Sequence, residues 1–220
     1  MSTLNDTALG SNDESGTILS CADTLNVTAG DLVFAGLKWE GAITTVTFDT
    51  GASTPAFTPA NAAELYTGNN DLDGATASWI ATSTGTVTVR AVLGADRPFR
   101  KLKAYSVTPA ATKTLQLGQV ASAQSATGTP ASGAASATAA GVAFGFFHLY
   151  GSNSMTAGTG WSEAAEFNIT DAQLTEYQLQ SGAGSLNADA ALSGSQHCIA
   201  QLAIFNEAAS GDTLMAQGLC

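Results

Sequence analysis

The sequence has 220 residues, and its seven basic and eighteen acidic residues give a net charge of −11. Because nucleic acids and anionic membranes attract positively charged surfaces, this balance excludes both as expected partners. Hydrophobic residues make up 45% of the chain and charged residues only 11%, which excludes a disordered protein and predicts a surface rich in small polar residues.

Residues 1–16 are polar, and we interpret them as an N-terminal arm outside the folded domain. They contain neither the basic start nor the apolar stretch of a secretion signal, so we expect synthesis in a cytoplasm without export. No later run approaches the roughly 18 apolar residues of a membrane helix. We interpret residues 206–220 as a C-terminal tail.

Residues 17–205 consist of short alternating runs between turn residues, which predicts an all-β fold with one antiparallel β-sandwich domain. In the clearest run, 85–93, four apolar residues share one face: Val87, Val89, Ala91 and Leu93. Further strands are predicted at 43–49, 76–82, 115–120, 173–181 and 196–205. One short helix is predicted at 59–66, because a proline at its start suits the first turn of a helix.

Two similar segments, 28–41 and 138–151, each predict a strand that is apolar on both faces. Their similarity indicates either an internal repeat or simply two buried strands, and we favour the second because the match is short. In the first segment, one face holds Val33, Ala35, Leu37 and Trp39, and the other holds Leu32 and Phe34. In the second segment, one face holds Phe144 and Phe146, and the other holds Phe147 and Leu149. A sandwich core covers one face, so the other needs a loop, the insertion at 108–141 or another subunit.

Residues 108–141 are rich in Ala, Ser, Thr and Gly. We interpret them as a long connection that carries a strand near 115–120. A disordered linker between two domains is the alternative. One domain is favoured, because neither half is expected to have enough strands to close a sandwich by itself.

The residues that usually carry catalysis are few and scattered. His148 lies in an apolar strand and His197 begins another, so both are predicted to be structural rather than catalytic or zinc-binding. Cys21, Cys198 and Cys220 lack metal-ligand spacing, and we predict that Cys198 is a core thiol. We therefore expect no enzyme activity, no cofactor and no metal.

Two short clusters have a possible ligand-binding pattern. Glu163 and Glu166 flank Trp161, as in some sugar sites, but a solvated loop is the interpretation we favour. Asn69–Gly74 places oxygen ligands at the alternating positions of a calcium loop. The twelfth position of that loop is Ile80 instead of the closing Glu, so a polar turn is favoured.

Four of the seven basic residues lie between positions 97 and 103. In an extended strand, Phe99, Lys101, Lys103 and Tyr105 would share one face, which makes this face a candidate contact for an acidic partner. The alternative, which we favour, is an edge strand whose lysines prevent aggregation.

Three short motifs together resemble a jelly-roll-like β-sandwich module of bacteriophage structural proteins and bacterial surface proteins. They are Gly30-Asp31-Leu32, Trp39-Glu40-Gly41 and Arg97-Pro98-Phe99-Arg100-Lys101-Leu102. The resemblance covers roughly residues 17–205 and departs from the family at 206–220. It implies a non-enzymatic virion protein assembled in a bacterial cytoplasm, most simply a capsid decoration or cement protein that binds the major capsid protein or other virion proteins. The motif residues look architectural, so no binding site is implied.

A second function is kept beside the first. A carbohydrate- or receptor-binding module of a phage tail fibre or bacterial surface protein would need exposed aromatic residues, and Trp79 and Trp161 are the candidates. The doubly apolar central strands also predict a homo-oligomer, with a trimer favoured, because so large an exposed apolar patch is unusual on a monomer.

Overall fold

The structure is a computed structural model that describes residues 1–12, 14–41, 43, 45–51, 60–61, 64–67, 72–125, 129–151, 153–167 and 172–210. These residues form nineteen β-strands and no helix, with every strand pair antiparallel. The predicted all-β, antiparallel fold is confirmed, and its sheets stack face to face as in a β-sandwich.

The first half of the chain contains eleven strands. They are β1 (Thr3–Asn12), β2 (Gly16–Ser20), β3 (Leu25–Val27), β4 (Leu32–Glu40), β5 (Val46–Asp49), β6 (Ala60–Asn61), β7 (Glu64–Thr67), β8 (Leu72–Ile80), β9 (Gly85–Val87), β10 (Arg90–Arg97) and β11 (Arg100–Thr108). A five-stranded sheet, in the order β1-β11-β4-β8-β7, is called here the N inner sheet. The N outer sheet has the order β2-β10-β5-β6, and β3 pairs with β9.

The second half contains eight strands. They are β12 (Lys113–Ser125), β13 (Ala131–Ala137), β14 (Gly141–Leu149), β15 (Met155–Ala157), β16 (Ser162–Phe167), β17 (Gln173–Gln180), β18 (Gly184–Leu192) and β19 (Cys198–Ala209). The five-stranded C inner sheet has the order β12-β19-β14-β17-β16, and the C outer sheet has the order β13-β18-β15.

The two halves share one strand arrangement. In each inner sheet the first strand of the half lies at the edge, the last strand lies beside it, and the third position belongs to β4 or β14. These two central strands come from the similar segments 28–41 and 138–151. Their equivalent positions agree with an internal repeat, so burial alone, which the sequence led us to favour, is not a sufficient explanation of the similarity.

Each half encloses a core of its own between its inner and outer sheets. The N core contains Val33, Ala35, Leu37 and Trp39 together with Val87, Val89, Ala91 and Leu93, as the alternation predicted. The C core contains Phe147, Leu149, Cys198, Ala200, Leu202 and Ile204. The expectation that neither half could close a sandwich alone was therefore wrong.

A third apolar cluster lies between the two inner sheets. Its members come from both halves: Leu32, Phe34, Tyr105, Val107, Leu115, Val142, Phe144, Phe146, Ala203 and Phe205. The second apolar faces of β4 and β14, predicted from the sequence, thus cover each other. Four sheets stack in the order N outer, N inner, C inner, C outer.

Both predicted terminal segments belong to sheets where the structure describes them. Residues 3–12 form β1, which pairs with β11, so residues 1–16 are not an arm. The Ser2 hydroxyl donates a hydrogen bond to the Glu207 carboxylate and ties the start of the chain to β19. Residues 206–209 continue β19 rather than beginning a tail, and residues 211–220 lie outside the described part.

Two local predictions were also wrong. In the segment predicted to be a helix, Ala60–Asn61 and Glu64–Thr67 are strands that pair with β5 and β8, and residues 59, 62 and 63 are outside the described part. In the small-residue segment 108–141 the strand predicted near 115–120 is confirmed as part of β12, but the presence of β13 shows that the rest is not one long connection. Its alanines conceal the pattern, because an alternating Ala strand such as β13 buries side chains that are scarcely more apolar than its exposed ones.

Candidate functional site between the two inner sheets

The contact surface between the inner sheets has an aromatic end and a polar end. The aromatic end consists of Phe34, Tyr105, Phe144, Phe146 and Phe205, whose ring centroids lie 4.8 to 6.4 Å apart. The polar end consists of Lys38, Lys101 and Lys103 from the N inner sheet and His148, Gln173 and Gln201 from the C inner sheet. All six of these polar side chains are buried.

Strand alternation places the two ends on the same faces. Leu32, Phe34, Gly36 and Lys38 are alternate residues of β4 and therefore lie on one face of the strand. That face changes from apolar to charged along the strand. On β14, Phe144 and Phe146 are followed by His148 in the same way. Register then aligns the charges, because Lys101 of β11 pairs directly with Lys38.

A chain of hydrogen bonds crosses the polar end. The Gln173 side-chain amide donates to His148 Nδ1 over 3.1 Å, and His148 Nε2 donates to Gln201 Oε1 over 2.9 Å. The ammonium of Lys103 crosses between the sheets and donates to the Gln173 carbonyl oxygen over 2.8 Å. Of these hydrogen bonds, the one from Lys103 joins the two halves, whereas Gln173, His148 and Gln201 all belong to the C inner sheet.

His148 is a neutral structural residue. Complete burial lowers its pKa to about 3, and the nearby charges of Lys38 and Lys103 also lower it. Both ring nitrogens are engaged in hydrogen bonds, as the neutral ring with its proton on Nε2 requires. The prediction of a satisfied ring at His148 is confirmed.

Two glycines allow the inner sheets to approach each other. A Cβ atom at Gly36 would lie 2.1 Å from the Phe146 ring, and one at Gly74 would lie 2.9 Å from the His148 ring. Gly74 lies within β8, opposite Lys38, and not at a turn as the calcium-like pattern suggested. Asp73, also on β8, pairs with Trp39 of β4. Residues 69–71 of the calcium-like pattern lie outside the described part.

The predicted contact face at Phe99, Lys101, Lys103 and Tyr105 is not a surface. Lys101, Lys103 and Tyr105 do share a face, but all three are 0% exposed because that face meets the C inner sheet. Phe99 is half-buried in the turn between β10 and β11, where its φ is 51°. The edge-strand alternative is wrong as well, because β11 pairs with β1 on one side and with β4 on the other.

The remaining candidates do not come together. Trp79 packs on the N core and Trp161 on the C core, so the two tryptophans do not form one face. Glu163 is exposed, and the side chain of Glu166 is outside the described part. His197 is exposed just before β19. Among the described side chains, Trp79 and Trp161 therefore do not form a shared aromatic surface.

The described cysteines are buried thiols. Cys21 lies in the N core and Cys198 in the C core, as predicted for Cys198, and burial raises the pKa of each thiol to about 12. Among the residues that the structure describes, no three His, Cys, Asp or Glu side chains are grouped as metal ligands. Within the same residues, no helix long and apolar enough to cross a membrane is present.

A buried carboxyl group that was not predicted from the sequence is that of Glu176 in the C half. Burial raises its pKa to about 8, while a 2.8 Å hydrogen bond from the Gly158 backbone N–H to Oε2 lowers it. Asp189 adds a smaller upward effect on the pKa. The alternation of β17 could have placed Glu176 inward, since it shares a face with Leu174.

The three motifs of the family resemblance serve the architecture. The Gly41 carbonyl oxygen, at the end of β4, accepts hydrogen bonds from Trp39 Nε1 over 2.9 Å and from Arg97 Nε over 3.0 Å. The Asp31 carboxylate accepts one from the Thr28 backbone N–H over 2.8 Å. No model of a known protein family matches the sequence, and a comparison with curated protein sequences finds no match either. The resemblance to phage and bacterial surface modules therefore stays a prediction.

Proposed function

We propose that this protein is a non-enzymatic structural protein of a bacteriophage virion, in the form of a decoration protein that binds and stabilises the head shell. The observation that supports this most is the buried contact surface between the inner sheets. There, Lys38, Lys101, Lys103 and His148, which elsewhere could serve a reaction or an anionic ligand, are buried between the two sandwiches.

A rigid body suits this role. Strands β4 and β14 are buried on both faces, so each contributes to its own core and to the contact between the halves. The hydrogen bond from Ser2 to Glu207 and the short turn at residues 109–112 tie the halves at their ends. A decoration protein that stabilises a shell has to keep its own shape when it is bound, and the stack of four sheets favours this.

We further propose that each half is a jelly roll. In each inner sheet the first strand of the half neighbours the last, as β1 does β11 and β12 does β19. In each outer sheet the second strand neighbours the next to last, as β2 does β10 and β13 does β18. Nested pairing of this kind is expected of the two Greek keys in a jelly roll.

The proposal predicts a major capsid gene in the same genome, and shells assembled from that capsid protein are the material for the test. The purified chain is expected to sediment with these shells and to raise their melting temperature, because a ligand that binds only the intact shell stabilises it. The destabilised variant Trp39→Ala is expected to lose both effects in proportion to its unfolded fraction. A chain that neither sediments with shells nor stabilises them contradicts the proposal, and saturable glycan binding lost in Trp161→Ala would support the carbohydrate-binding alternative.

The homo-oligomer remains a prediction with a weaker basis. Its motive was the second apolar face of each central strand, and the two halves cover those faces within one chain. Light scattering on the purified protein measures the state directly.

A further inference from the structure

A cavity lies between the inner sheets, where the aromatic end meets the polar end. Its volume is about 120 Å³. Phe34 and Phe146, whose rings meet edge to face at 5.2 Å, form one wall, and Ala203 contributes to another. Thr76 and Gln201 bring a hydroxyl and an amide to the same space.

The cavity reaches the surface beside the edge strand β12. The pairing of β12 with β19 shifts in register between Leu117 and Val120, which bends the strand at this point. Val120 lines the cavity and is nevertheless 38% exposed, so its side chain stands at the mouth. A small molecule therefore has a way in that does not require the halves to separate.

We propose that this cavity is a binding site for one small, mostly apolar molecule the size of a single aromatic ring that carries one hydrogen-bonding group. Cavities of about 150 Å³ with aliphatic and aromatic walls are known to take up a benzene molecule. Two phenylalanine rings in the wall can meet an aromatic ligand edge to face or in offset stacking. Because Thr76 and Gln201 also line the cavity, one polar substituent is favoured over none.

The site is tested on the full chain with phenol and benzene as probes and with methyl NMR spectra as the readout. Both probes are expected to shift the methyl signals of Val120 and Leu202 saturably, whereas the methyl groups of Val87 and Val89 in the N core stay unchanged. Phenol is expected to bind more tightly than benzene.

Two variants close the site in different ways. Ala203→Leu fills the cavity, and Val120→Trp blocks its mouth from a partly exposed position that tolerates a large side chain. Both are expected to abolish binding of both probes. Ala191→Leu, which adds the same atoms at an exposed position of β18, is the matched control and is expected to bind as the wild type does.

The polar wall has its own test. Thr76→Val removes the hydroxyl at nearly constant volume and is expected to weaken phenol binding by about two- to tenfold, the worth of one hydrogen bond, without changing benzene binding. Thr86→Val, at an exposed position of β9, is the control. The proposal is overturned if neither probe gives saturable shifts, or if Ala203→Leu and a folded Val120→Trp variant both bind the probes like the wild type.

Discussion

The aromatic end and the polar end of the inner contact surface hold the same two sheets together in different ways. At the aromatic end, Phe34 lies within 4.8 to 5.2 Å of three other rings, and this contact tolerates small shifts of one sheet against the other. At the polar end, the Lys103 ammonium of the N half donates a hydrogen bond to the Gln173 carbonyl oxygen of the C half over 2.8 Å. Hydrogen bonds lose their geometry with a shift of less than an ångström.

This difference separates stability from alignment. Burial of aromatic rings is favourable and adds about 0.5–1.5 kcal/mol for each ring pair beyond the buried area. Burial of lysine and histidine costs desolvation energy that hydrogen bonds offset only in part. We infer that the aromatic end supplies most of the free energy that joins the halves, whereas the polar end determines which alignment they adopt.

The largest effect is expected at the aromatic end. Phe144→Ala removes a fully buried ring that contacts Phe34, Tyr105 and Phe205, and we expect it to lower the free energy of unfolding by about 3–5 kcal/mol in urea titrations. Ile18→Ala, at a position 49% exposed, is the control and is expected to change it by less than about 0.5 kcal/mol. If the Phe144→Ala variant is as stable as the wild type, the aromatic end does not supply most of the free energy that joins the halves.

The same experiment in the N core asks whether the halves unfold together. Trp39 is fully buried, and Trp39→Ala is expected to cost about 3–5 kcal/mol as well. If the contact surface couples the halves, both variants give one transition in fluorescence and in circular dichroism. Two separate transitions in Trp39→Ala alone would show that the C half is stable without the N half.

A smaller loss is expected at the polar end. His148→Leu leaves the amides of Gln173 and Gln201 without their partner, which we expect to cost about 1–3 kcal/mol. His197→Leu replaces the exposed histidine and should leave stability unchanged. If the polar end determines alignment, the His148 variant should also broaden backbone NMR signals along β8 and β17, which the Phe144→Ala variant should not do.

The acid side of the stability profile reports on the polar end. Because the pKa of His148 is lowered to about 3 in the folded chain, the unfolded chain binds an extra proton between pH 6.5 and 3. Its contribution to stability is complete above pH 6.5 and declines by about 1.4 kcal/mol for each pH unit below it. The difference between the wild type and His148→Leu, measured by urea titration from pH 7 to pH 4, isolates this slope, and parallel profiles would contradict it.

The sequence predicted the periodic parts of this molecule and missed the contacts that joined them. Alternation identified the apolar residues on both faces of β4 and β14, because apolar residues at consecutive positions of a strand are visible in the sequence alone. It could not show that the two strands cover each other, since a loop or a second subunit would satisfy the same pattern. Lys101 and Lys103 were placed at a surface because lysine is rarely buried, and only the register with Lys38 and the facing sheet showed otherwise.

The last effect is expected in the C core, where Glu176 has the opposite pH dependence. Burial raises its pKa to about 8 from an ordinary value of 4.5, so the folded chain keeps a proton that the unfolded chain releases. Its contribution to stability is complete below pH 4.5 and is lost as the pH rises through 8. Glu176→Gln keeps the shape of the protonated acid, so it should match the wild type near pH 5 and exceed it in stability at pH 9.

Urea titrations at these two values measure the effect, and Glu163→Gln, which changes an exposed carboxylate on the neighbouring strand, is the control. Equal stability of Glu176→Gln and the wild type at pH 9 would show that the carboxyl ionises within the core at little cost. The pH windows of Glu176 and His148 overlap between pH 4.5 and 6.5, where their contributions change in opposite directions, so each variant is compared with the wild type over the whole range to separate the C core from the polar end.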